Sequence, residues 1–133
     1  MINALKDVAE ALGQLGALEV WLFGSHANGK AGPESDVDLL VVGPRSLLEE
    51  LRVKEAWPYD IFVNISGEDE FCSPWRQASG SYSGWKWRRV AEDKATYIAM
   101  KPNKWRPEYA HGFPATAIRI FSIGDSFKGR PRT

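Results

Sequence analysis

Leu5, Val8, Ala9, Leu12 and Leu15 recur at three-to-four-residue spacing, which puts them on one face of a helix over residues 3–15. Asn3 is placed to cap that helix, and Gly13 and Gly16 end its pattern. Residues 18–23, LEVWLF, are a short apolar run rich in strand formers, interrupted by Gly24-Ser25. Residues 25–29 have room for one helical turn, and residues 30–35, KAGPES, have loop chemistry. Residues 36–42, DVDLLVV, read as a second strand stopped by Gly43-Pro44. Residues 45–56 suit a short helix that buries Leu47, Leu48 and Leu51, with Pro58 breaking it. Residues 59–65, YDIFVNI, form a third strand.

Periodicity then weakens. Residues 66–84 are rich in Ser and Gly, and no element stands out. Residues 85–91 and 95–100 are suited to pair as strands, residues 115–123 alternate well enough for another, and residues 124–133 form a basic tail. A chain of 133 residues is one domain by length. The change of pattern near residue 66 divides it into a core, 1–66, and an extension of the same domain, 67–133.

Composition is that of an ordinary globular protein, at 44% hydrophobic and 26% charged. No apolar run approaches the roughly 18 residues of a membrane span. The N-terminal segment mixes acids into its apolar pattern and lacks a basic leader, so the cytoplasm is the expected compartment. The single cysteine, Cys72, leaves no internal disulfide and reads as an inert apolar residue with no basic neighbour in sequence. His26 and His111 are too far apart to suggest a histidine metal site, and His111 falls in what reads as a loop, AHGFP. The net charge is zero, yet the first 66 residues carry five of the 17 bases and ten of the 17 acids. The basic second half therefore either meets an anionic partner or neutralises the first half within the fold.

Strand alternation points Asp36 and Asp38 to one side and Val37, Leu39 and Val41 to the other. Two acids one pleat apart repel each other, and a hard divalent cation would offset that repulsion. Asp60 opens the next apolar strand. If the strands are neighbours, three carboxylates converge, which suits two metal ions about 3.5–4 Å apart and in-line displacement at phosphorus. The alternative is that these acids only terminate strands. Gly24-Ser25 changes the balance: a tight turn between a strand and a helical turn exposes backbone N–H groups and a hydroxyl to phosphate.

The segment LFGSHANGKAGPESDVDLLVV resembles the signature of the minimal nucleotidyltransferases, a family of the DNA-polymerase-beta-like nucleotidyltransferase superfamily. That signature is a Gly-Ser turn, a spacer and two aspartates alternating with apolar residues. The resemblance spans roughly residues 3–65. It implies an α+β fold with a mixed sheet and flanking helices, extended here by extra strands in the C-terminal half. It implies that Gly24 and Ser25 grip the outgoing phosphates of a nucleoside triphosphate, ATP by default. Asp36, Asp38 and Asp60 would be the catalytic and metal-binding acids, with magnesium as the cofactor in a two-metal site. A hydroxyl acceptor would receive the NMP, AMP if the donor is ATP, and Asp60 would favour its deprotonation. Minimal members often work with a helical partner, and some are antitoxins of toxin–antitoxin systems that adenylylate a helical HEPN-type toxin. His26 departs from the basic or small residue common after the turn, and residues 66–133 match no pattern of the family.

In the second half, Trp75, Trp85, Trp87 and Trp105 are interleaved with Arg76, Lys86, Arg88, Arg89, Lys104 and Arg106. Such a surface would suit nucleic acid, a nucleotide base or an acidic protein. The competing reading buries Trp85 and Trp87 by strand alternation and leaves the bases on a charged strand edge that deters edge-to-edge pairing. Two readings stand beside the enzyme: a non-catalytic docking module on the same fold, and a nucleic-acid-binding protein using the tryptophan-rich surface.

Overall fold

The helical periodicity of the first residues is realised as α1 (Ile2–Gln14), followed by β1 (Glu19–Phe23), β2 (Asp38–Gly43), α2 (Arg45–Arg52) and β3 (Asp60–Ile65). The computed structural model describes residues 2–24, 27, 37–57, 59–101 and 111–123. The chain continues through β4 (Glu70–Cys72), β5 (Ser79–Ser81), α3 (Tyr82–Trp85), β6 (Arg88–Ala91), β7 (Lys94–Lys101) and β8 (His111–Ser122). The eight strands of the described residues join one mixed sheet in the order β5-β4-β3-β2-β1-β8-β7-β6. β2 and β3 are parallel, joined through α2, and the other pairings are antiparallel. This is an α+β fold with a mixed sheet, flanking helices and extra strands in the C-terminal half.

Alternation sorts the strand residues into two cores. Val20, Leu22, Leu39, Val41, Ile61 and Val63 face the helices, where α1 supplies Ala9 and Leu12 and α2 supplies Leu47, Leu48 and Leu51. The opposite face carries an aromatic layer, in which Trp21, Phe23, Phe71 and Tyr97 are buried and Phe62, Tyr82, Trp85 and Trp87 pack against them. Edge and stacked pairs with centroids 4.8–6.1 Å apart run through this layer, each worth about 0.5–1.5 kcal/mol beyond its burial.

Several elements differ from what the sequence pattern predicts. α2 stops at Arg52 rather than residue 56. Its next inward positions would be Lys54 and Glu55, whose charges leave nothing to hold another turn against the sheet. β4 and β5 have three residues each, too short to display a period. They are held in part by Gly80, where a Cβ would come within 2.6 Å of Phe71 Cε1 and 2.9 Å of Trp85 Nε1. Trp85 ends α3, and Lys86 then adopts the left-handed conformation at φ 54°. Trp85 and Trp87 thus reach the same aromatic layer through a turn, not through one strand. The AHGFP segment is not all loop: His111 to Pro114 pair with β7. Pro114 is tolerated there because β1 reaches along β8 only to Ile118, leaving that stretch paired on one side among the described residues.

Among the described residues β5 and β6 are the two edge strands, and Arg88 and Arg89 are exposed on β6, as a charged edge requires. The two oppositely charged halves also meet inside the fold. Glu19 accepts bonds from Arg89 at 3.2 Å and from Arg119 at 3.3 Å, and Arg119 is almost fully buried. Among the described residues no helix is long and apolar enough to cross a membrane.

Asn64, buried under the aromatic layer, donates to the carbonyls of Glu68 and Glu70 and accepts from the Tyr82 hydroxyl at 3.0 Å. Burial, then the nearby charges of Glu19 and Asp69, push the Tyr82 hydroxyl well above the usual tyrosine range. The unfolded chain therefore loses this proton first, so stability falls as pH rises beyond the ordinary value of about 10. Tyr82→Phe should cost about 1–3 kcal/mol at neutral pH, by leaving the Asn64 oxygen unpaired. It should also flatten the alkaline loss. Urea midpoints measured at pH 7 and above pH 10 check both signs.

Candidate functional site

Three strand ends meet at one edge of the sheet. β1 finishes at Phe23 opposite Asp38, the first residue of β2. Asp38 is in turn the register partner of Asp60, the first residue of β3. Partners on neighbouring strands project to the same face, and strands lie roughly 4.8 Å apart, so the two carboxylates stand side by side at the rim of the aromatic layer.

Gly24 follows Phe23 with φ 73°, a conformation that side chains resist. A Cβ there would overlap Asp38 Oδ2, so the carboxylate rests against the glycine backbone. The Gly24 N–H donates to the Tyr97 hydroxyl at 2.8 Å. Tyr97 comes from β7 and is stacked on Trp85 and Trp87. The turn that follows β1 is thereby tied to the C-terminal half of the chain.

Asp60 is paired with the Arg76 guanidinium. Arg76 sits in a short turn in which Ser73 Oγ accepts from the N–H groups of Trp75 at 3.3 Å and Arg76 at 3.2 Å. Trp75 anchors this turn by donating Nε1 to the Leu51 carbonyl at 2.7 Å, at the C-terminal end of α2. Asp60, Arg76, Trp57, Tyr59 and Trp75 line an open pocket of about 380 Å³.

The structure therefore brings Gly24, Asp38 and Asp60 together. Ser25 and Asp36, the other residues singled out by the sequence, lie outside the described residues, as do His26, Lys104, Trp105 and Arg106. Among the described residues no group of three or more His, Cys, Asp and Glu side chains could hold a metal ion. Asp38 and Asp60 supply two hard oxygen donors side by side, and the cation on Asp60 is an arginine. Such a donor set fits a hard divalent ion.

Two contacts at this site escape sequence reasoning. Arg76 reads as part of a basic surface, yet it pairs with an acid 16 positions away. The charge imbalance between the halves was the available signal. Tyr97 lies 73 positions from Gly24, and nothing local marks it. Cys72, which lacks a basic neighbour in sequence, has one in space: Arg52 Nη2 is 3.8 Å from its sulfur.

Residues 5–77, more than half of the chain, match the nucleotidyltransferase domain family. Comparison with curated proteins and with solved structures gives no match. The matched segment runs from α1 through Arg76 and contains every residue of the carboxylate site described above except Tyr97 and the two tryptophans stacked on it.

Gly24→Ala should destabilise the fold by more than the roughly 1–2 kcal/mol of a left-handed residue, because the methyl group must also displace Asp38. Gly67 provides the control, with φ 92° and nothing within 4 Å of its would-be Cβ. Gly67→Ala should show the backbone cost alone. Equal losses in thermal denaturation would refute the Gly24–Asp38 contact.

Proposed function

The chain belongs to the nucleotidyltransferase domain family of the polymerase-beta-like superfamily, and from that premise we propose that it is a magnesium-dependent transferase of the minimal type, passing NMP from a nucleoside triphosphate, ATP by default, to a hydroxyl acceptor. The observation that carries this reading is the in-register placement of Asp38 beside Asp60, with Gly24 closed against Asp38. In this proposal residues 1–66 carry the chemistry and residues 67–133 extend the same domain. The acceptor is a hydroxyl, including one on a helical HEPN-type protein partner.

Each residue has a distinct task. Gly24 and Ser25 take the outgoing phosphates. Asp38 and Asp60, with Asp36, hold magnesium, which supplies the positive charge that offsets the triphosphate. Asp60 also accepts the hydrogen bond of the acceptor hydroxyl and favours its deprotonation. The acceptor oxygen bonds to the α-phosphorus, the bond to the bridging oxygen breaks, and pyrophosphate leaves with that electron pair. The protein contributes positioning and charge compensation, which carry most of the rate in phosphoryl-type transfers. Arg76 neutralises Asp60 in the structure and must leave that carboxylate before the acid can serve a cation or a hydroxyl. A nucleic-acid surface gains less support, since Trp85 and Trp87 pack into the aromatic layer and Arg89 is bound to Glu19.

With α-labelled ATP, magnesium and candidate acceptors, the wild-type chain should transfer label. The Asp36→Asn/Asp38→Asn variant should lose at least about a hundredfold in rate. A wild-type protein that neither releases pyrophosphate nor binds triphosphate in a magnesium-dependent way would sink the proposal. Removing the competing cation with Arg76→Gln should tighten binding of manganese, a spectroscopic stand-in for magnesium. The expected gain is about two- to fivefold, the scale of a part-exposed ion pair, and unchanged manganese affinity by paramagnetic resonance would show that Arg76 does not guard Asp60.

A further inference from the structure

On the side of Gly24 away from Asp60, a second cavity of about 260 Å³ is lined from the end of β1, from α3 and from β7. Phe23, Gly24, Trp85, Tyr97, Ile98 and Ala99 line it. Among the described residues its side-chain walls are rings and aliphatic carbon with two polar atoms: the Tyr97 hydroxyl, engaged by the Gly24 N–H, and Trp85 Nε1, which lies against Gly80. Those described walls offer an anion little to replace its hydration, so they suit an apolar group better than a phosphate. A planar heteroaromatic ring fits the chemistry, because aromatic side chains stack on any base through its π-face.

Three observations join this cavity to the carboxylate site. Gly24 belongs to both, closing against Asp38 and lining the cavity wall. Tyr97 both fixes the Gly24 turn and forms the wall. Trp85 is held in place by Phe71, with ring centroids 4.8 Å apart, and by Tyr97 at 5.8 Å, so the platform is ordered before any ligand arrives. We propose that this cavity receives the base of the nucleoside triphosphate, with the part-exposed Trp85 as its stacking wall and the buried Tyr97 backing that ring. The inference rests on the nucleotidyl-transfer reading and specifies its donor. Ring area favours purines, and among the described lining residues the side-chain polar atoms, the Tyr97 hydroxyl and Trp85 Nε1, are turned to Gly24 and Gly80, which leaves adenine and guanine nearly equivalent. Trp85 and Tyr97 lie beyond the family-matched segment, residues 5–77, so this preference belongs to the chain's own C-terminal half.

Calorimetric titration with ATP, GTP, UTP and inorganic tripolyphosphate, each with magnesium, tests it. ATP and GTP should bind within about threefold of each other, UTP more weakly, and ATP about tenfold or more tighter than tripolyphosphate. Ala99→Leu fills the cavity without removing a packed ring. It should bring ATP down to the affinity of tripolyphosphate and leave tripolyphosphate unchanged. Trp85→Leu, with its fold checked by near-ultraviolet dichroism, should do the same. If tripolyphosphate binds as tightly as ATP, or Ala99→Leu leaves ATP binding intact, the base pocket is overturned while the phosphate site stands. A tenfold preference between ATP and GTP overturns the purine-tolerant specificity. If neither ATP nor tripolyphosphate binds, the nucleotidyl-transfer reading falls and the pocket with it.

Discussion

The parallel, in-register pairing of β2 with β3 is the constraint on which the site depends. It places Asp38 opposite Asp60 and, two residues on, Leu40 opposite Phe62. A slip of one residue would turn Asp60 toward the helix-covered face and Ile61 into the site. That register is held from the other face. Leu39, Val41, Ile61 and Val63 are all buried beneath α1 and α2, and a one-residue shift of either strand would turn its pair out of that core. The carboxylates are thus positioned by apolar packing on the opposite side of the same strands.

A consequence is that the C-terminal half is part of the site's construction. β8 inserts beside β1, and β7 follows it. This brings the Tyr97 hydroxyl to the Gly24 N–H and the Arg119 guanidinium to Glu19. Arg76, which follows β4, reaches back to Asp60. The acidic first half and the basic second half are stitched together by these pairs, so part of the charge asymmetry is consumed within the fold. Arg88 remains exposed on the edge strand β6, where like charge discourages another sheet from adding to the edge.

The aromatic layer links the two halves energetically. It mixes rings from β1 and β3 with rings from β4, α3 and β7. Sheet and site therefore form one packing unit, and loosening the layer at Phe71 or Trp85 would reach Phe23, the residue beside Gly24 and opposite Asp38.

Local pattern alone determined the first half. The three-to-four-residue spacing of α1, the buried leucines of α2 and the alternation of β2 and β3 are properties of neighbouring residues, so they are legible without a fold. The Gly-Ser pair and the spaced aspartates are legible for the same reason: each is a motif of residues close in the chain. Only the tertiary structure decided which acid stands beside which, because strand order and register are set by the whole core. It alone revealed Arg76 on Asp60 and Tyr97 on Gly24, contacts that span 16 and 73 positions. β4, β5 and the turn that carries Trp85 inward were illegible because three-residue strands have no period to read. Their conformation follows from the rings they cover, and those rings come from strands distant in sequence.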